Sequence, residues 1–185
     1  MRLVEGVARV DDVDAFLAAL DRVADDHGAT VQAFDARYVV SRAHLRRAVE
    51  LADRARERGE TVARERSMEV LLYAAGRRQI DQALEMGVSE GETPVVVLVD
   101  GGDEAGAAAA VAALDAVEPC GPDESDESDE SDERSDADGA GGGATSYDVE
   151  RVRRFFDVGE AELAVVAGDL PDVVLERVAL LDVEK

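Results

Sequence analysis

The sequence predicts a single α/β domain interrupted by a disordered acidic insertion. Three observations predict it. Apolar runs of strand length alternate with longer segments whose apolar residues recur every three or four positions. The 185-residue chain is 46% hydrophobic, enough for one core and too little to argue for two. Residues 119–146 break the pattern with ESDESDESDE followed by GAGGG. That leaves residues 1–118 and 147–185 to build the domain.

The elements follow in order. Leu3 to Val10 alternates imperfectly and reads as a strand. Asp11 or Asp12 can cap a helix carrying Val13, Phe16, Leu17, Leu20 and Ala24, which Gly28 ends. Residues 29–35, ATVQAFD, read as a second strand. Ser41 caps the next helix, with Leu45, Ala48, Val49, Ala52 and Ala55 as its buried stripe and Gly59 as its stop. A short helix from about Ser67 carries Met68, Leu71, Leu72 and Ala75 on one face, and Gly76 breaks it. Arg77 to Met86 forms another, with Ile80, Ala83 and Leu84 inward and Gly87 at its end. Thr93 to Val99 is continuously apolar and suits a strand buried on both faces. An Ala-rich helix follows, from about Asp103 to Val117.

The insertion carries ten acids and one Arg, a net −9, with almost nothing to bury. It reads as a solvated loop, with an acidic partner-binding tract as the alternative. Order returns near Tyr147, where Val149, Val152, Phe155 and Phe156 share a helical face. Residues 160–167 fit either strand or helix. Pro171 opens a last helix with Val174, Leu175, Val178 and Leu181 apolar. A free tail would not expose that much apolar surface, so the segment docks on its own domain or on a partner.

Charge narrows the setting. Forty-three acids face twenty bases, a net −23, and Lys185 is the only Lys. Self-repulsion on that scale destabilises a compact state. Molar salt shortens the Debye length to about 3 Å and removes the penalty. Acid excess, near-absence of Lys and small apolar residues therefore suggest the cytosol of a salt-loving cell. Cys120 stands alone, which excludes an intramolecular disulfide or a thiolate cluster. No apolar run reaches about 18 residues, and the first residues carry acids where a signal peptide needs an apolar stretch. The expectation is a soluble, cytoplasmic protein without membrane contact.

The bases are not evenly spread. Eleven Arg and six acids lie between Arg37 and Arg78. Arg47, Arg54 and Arg58 share one helical stripe, and Glu50, Asp53 and Glu57 the next, so part of this island reads as a salt-bridged solvent face. Arg64, Arg66, Arg77 and Arg78 fit that less well. Arg suits planar, bidentate phosphate contacts. Salt weakens those contacts steeply, so stacking should help, with Tyr73 the nearby candidate ring and core packing its alternative.

Other chemistry finds little support. His27 and His44 have no neighbouring His or Cys to complete a transition-metal site. No Walker A, G-x-G-x-x-G or G-x-S-x-G motif occurs. DGGDEAG lacks the spacing of a calcium loop and reads as a turn and helix start. No metal and no cofactor are expected. A small metal-dependent enzyme built on Asp100 to Glu104 stays open as an alternative, as does an interaction module acting through 119–146.

Two segments carry a resemblance: VSRAHLRRAVELADRA (40–55) and RSMEVLLYAAGRRQIDQALEMGV (66–88). They resemble the kinase-binding subunit of the KEOPS complex, the TPRKB-type family. LERVALLDVEK looks like that family's last helix. The resemblance implies an α/β domain with a small mixed β-sheet flanked by several helices. It implies a non-catalytic subunit that binds the small kinase/ATPase of KEOPS. It also implies capture of tRNA by its 3′ CCA end, for threonylcarbamoyladenosine modification by another subunit. Arg66, Tyr73, Arg77, Arg78 and Gln79 lie in the matching motif and are the candidate tRNA contacts. Glu69 lies there too, expected to pair with Arg66 or Arg77. Val174, Leu175, Val178 and Leu181 are the candidate kinase contacts, with packing on their own domain as the alternative.

Overall fold

The computed structural model describes residues 1–120, 147–163 and 168–181. From residue 121 to 146 the expected acidic insertion lies outside the described residues. Four strands form one sheet: β1 (Arg2–Val10), β2 (Thr30–Asp35), β3 (Gly91–Asp100) and β4 (Val117–Pro119), in the order β2-β3-β1-β4. All three ladders are antiparallel, which refines the mixed sheet expected from the resemblance. The longest ladder runs from Arg2 opposite Val99 to Val10 opposite Gly91.

Helices cover both faces, and this explains the sequence of β3. Val95, Val97 and Val99 join Phe16, Leu20 and Val23 of α1 (Val13–His27) and Ala107 and Val111 of α5 (Glu104–Ala112) in one core. Val96 and Leu98 point the other way, into a second core with α2 (Arg42–Arg58) and α3 (Arg66–Ala75). Successive side chains of a strand alternate between faces, so a strand covered on both sides must be apolar throughout.

The closing segment completes the second core. Val152, Phe155 and Phe156 come from α6 (Val149–Phe155) and its end, and Leu170, Val173, Val174 and Val178 from α8 (Leu170–Leu180). Asp148 N donates to Arg37 O at 3.0 Å, and the Phe155 ring meets Tyr38 edge-on at 5.0 Å. Docking on its own domain is thus the observed outcome for this segment. Between these helices, α7 (Glu160–Leu163) resolves the ambiguous stretch toward helix as far as 163; residues 164–167 are outside the described set.

Three expectations need correction. The Ala-rich helix stops at Ala112, because the chain turns to form β4, pinned by Arg9 N donating to Ala116 O at 2.8 Å. Ile80 and Leu84 face outward, 42% and 48% exposed, while Ala83 and Met86 are buried. Their helix, α4 (Ile80–Ala83), lasts one turn and tightens to a 3-10 turn at Leu84–Met86, which shifts the phase of the inward face. Val149 also faces solvent, leaving Val152, Phe155 and Phe156 as the buried face of α6. No described helix is long and apolar enough to cross a membrane.

β4 approaches β1 closely at Gly6, where a Cβ would lie 2.5 Å from Glu118 O. Gly6→Ala is expected to push β4 away and to destabilise the fold by about 2 kcal/mol. A thermal midpoint about 6 °C lower is the expected reading, and an unchanged midpoint would show that β4 moves at no cost.

Candidate functional site

The matching motif folds into a corner. α3 ends at Gly76, whose φ of 59° suits glycine, and Arg77 N then donates to Leu72 O at 3.0 Å. This turn sends Arg77 and Arg78 toward the returning C-terminal segment. Arg77 donates to Phe155 O and lies 5.4 Å over the Phe155 ring. Arg78 is exposed and donates to Leu181 O at 3.3 Å. Gln79 is exposed and accepts from Gln82 Nε2 at 2.7 Å.

A cleft opens there, lined by Val62, Leu72, Tyr73, Arg77, Arg78 and Leu181, with Glu69 at its base. Its enclosed volume is about 10 Å³, far below that of a small-molecule pocket. It is a crease with room for no more than about one water molecule. Tyr73 is almost fully buried and meets the cleft only as wall. The corner therefore unites Tyr73, Arg77 and Arg78 of the tRNA set with Leu181 of the kinase set, and Gln79 follows on the surface.

Glu69 does something the sequence did not reveal. Its buried carboxylate accepts from Val62 N at 3.0 Å and Ala63 N at 2.7 Å. It thus pins the loop between α2 and α3 by its backbone, instead of pairing with Arg66 or Arg77. Arg66 is a brace. It donates to both carboxylate oxygens of Asp53, at 2.6 and 2.8 Å, and to Asp100 at 2.6 Å. Its hydrogen bonds to Asp53 raise its pKa most; burial opposes and Asp100 adds.

The acidic cluster at 100–104 is equally occupied. Asp100 faces Arg66 and the Met1 ammonium. Glu104 accepts from that ammonium at 2.7 Å and from Gly101 N at 3.0 Å. The ammonium contact holds its pKa below the usual carboxylate value, with Gly101 N helping and burial opposing. Asp103 caps α5 through Gly106 N, which lowers its own pKa, and lies 3.4 Å from His27 Nδ1. Among the described residues no group of three His, Cys, Asp or Glu could hold a metal ion. Much of the Arg island is tied down as well: Arg37 to Asp35 at 2.7 Å, Arg47 to Glu50 at 3.1 Å, Arg56 to Arg64 O at 3.5 Å.

His44 is fully buried. Its Nε2 must carry the proton, because it lies 2.8 Å from Ala74 O, which can only accept. Its ring meets Phe156 edge-on at 5.9 Å, and its Nδ1 has no partner among the described residues. Burial pushes its pKa down to about 4.

The model of the kinase binding protein CGI-121 family matches residues 11–182. The chain belongs to that family. No curated protein matches it. The CGI-121 match takes in the α3–α4 corner and α8, the two elements that meet at the cleft.

In this CGI-121 protein Val174 and Val178 are fully buried against α2 and α3, so they have no surface to offer a partner. Leu175 and Leu181 are half-buried. The exposed residue at the tip of α8 is Leu180, at 48%, and Val62 beside the cleft is 50% exposed. With Leu17, Ile80, Leu84 and Val149 these are the large apolar side chains exposed among the described residues. Val62 and Leu84 adjoin the buried Ala63 and Ala83.

Proposed function

We propose that this CGI-121 protein is a non-catalytic KEOPS subunit working in the salt-rich cytoplasm of a halophile. It binds the complex's small kinase/ATPase and recruits tRNA through the 3′ CCA end for threonylcarbamoyladenosine modification. The family match supports the kinase partner. The observation that carries the RNA reading is the corner itself. It offers an exposed Arg78 on the rim of a narrow apolar crease, with Gln79 exposed next to it in sequence. Arg78 suits a backbone phosphate, Gln79 a base edge, and the apolar rim at Val62 and Leu181 a base lying across it. Arg77 supports these from behind, and Arg66 acts through the fold. Leu175 and Leu181, both half-buried, are the kinase contacts this reading retains.

A titration in molar KCl tests it. An RNA hairpin ending in CCA is expected to bind, and the same hairpin without CCA to bind at least tenfold more weakly. Arg78→Ala with Gln79→Ala should abolish that difference, a loss of about 2 kcal/mol. Equal binding of both hairpins to the unaltered protein would sink the RNA reading. Co-purification with the kinase tests the other half separately.

A further inference from the structure

The cleft and α8 share one side chain, Arg78. Its guanidinium donates at 3.3 Å to Leu181 O, the carbonyl just past the end of α8. The last carbonyls of a helix lack intrahelical donors and carry the negative end of its dipole. An Arg at that position therefore caps the helix and complements its field. Both residues of this contact line the cleft. Arg77 is held differently, by the carbonyl and the ring of Phe155 together. Arg78 is the guanidinium that can be diverted, since its one hydrogen bond among the described residues is exposed and long.

We propose that Arg78 couples the rim of the cleft to α8, serving in turn α8's terminal carbonyl and an anionic RNA end lying across that rim. The inference rests on the RNA reading of the cleft. A phosphate can meet the guanidinium with two parallel bonds and an opposite charge, where the carbonyl offers one bond and none, so an arriving phosphate takes the guanidinium. Leu181 O then loses its cap. The inward face of α8 stays in place, because Val173, Val174 and Val178 are core. Only the last turn loosens, and it carries the exposed Leu180 and half-buried Leu181. Coupling of this kind is reciprocal: anything that holds the α8 tip against Arg78 weakens the anion's hold on the cleft.

Hydrogen exchange over residues 173–181 tests this in the full chain, with the CCA-ended hairpin as probe and RNA binding measured alongside. Arg78→Ala without RNA should speed exchange in the last turn roughly tenfold. Arg78→Lys, which keeps the charge but not the fork, should fall between. Saturating hairpin should speed the same amides in the unaltered protein and add nothing in Arg78→Ala. Unchanged exchange in Arg78→Ala would overturn the capping role and the coupling with it. Bound hairpin that leaves exchange unchanged would overturn the coupling alone. A hairpin that does not bind overturns the RNA reading and takes the coupling down with it.

Discussion

Glu69→Ala is expected to destabilise the protein by about 3 kcal/mol and to lower its thermal midpoint by roughly 10 °C. The carboxylate is buried, and its bonds to Val62 N and Ala63 N hold the loop that forms one wall of the cleft. Hydrogen bonds to a charged group contribute about 1.5–3 kcal/mol each, and removing the acceptor leaves both amides without it. Glu69→Gln separates charge from geometry. The same oxygen, Oε2, takes both short bonds, so the amide oxygen can replace it and lose only the charge assistance. A loss of about 1 kcal/mol is expected there. Denaturant unfolding of the two variants checks the ratio. Equal losses would mean that the charge matters more than the acceptor.

The fold was legible where side chains carry the pattern. β3 declared itself through an unbroken apolar run, since both its faces meet helices. That run could not declare its neighbours' direction, because burial on both faces says only that both are covered. β4 left no pattern to read. It has three residues, and Glu118 and Pro119 are exposed. Flanking backbone bonds, such as Cys120 N to Glu5 O, and the close approach at Gly6 hold it in place. Ile80 and Leu84 were misplaced because a one-turn helix has no period long enough to fix its phase.

The site was legible as a motif and opaque as a mechanism. Residues 66–79 were the right stretch, but what each one touches depends on distant chain. The partners of Arg66 lie 13 and 34 residues away, and those of Arg77 and Arg78 lie 78 and 103 away. Backbone amides, which hold Glu69, have no sequence signature at all. Arginine in an acidic chain therefore divides into two classes that composition cannot separate. Arg66 is spent on two carboxylates. Arg78 has one carbonyl among the described residues, and keeps most of its hydrogen-bonding capacity for a ligand.

His44 should make the fold lose stability as pH falls from 6.5 toward 4. Its pKa is about 4 in the folded protein, against 6.5 as the ordinary value. Between those values the unfolded chain binds a proton that the folded chain does not. Stability then drops by about 1.4 kcal/mol per pH unit, for a total near 3 kcal/mol, and is fully retained above 6.5. The physical cause is burial between α2, Ala74 O and Phe156, where an imidazolium would meet no counter-charge. His44→Gln keeps an N–H donor for Ala74 O and cannot titrate. Carboxylates such as Asp103, Glu104 and Asp148, whose pKa values are lowered in the fold, lose their contribution on further acidification in both proteins. The difference between the two unfolding curves therefore isolates the imidazole. That difference should be flat above pH 6.5 and slope by one proton below it. A flat difference down to pH 4 would mean that the ring is protonated equally well in the folded state, and that the gap around Nδ1 admits water or an acceptor.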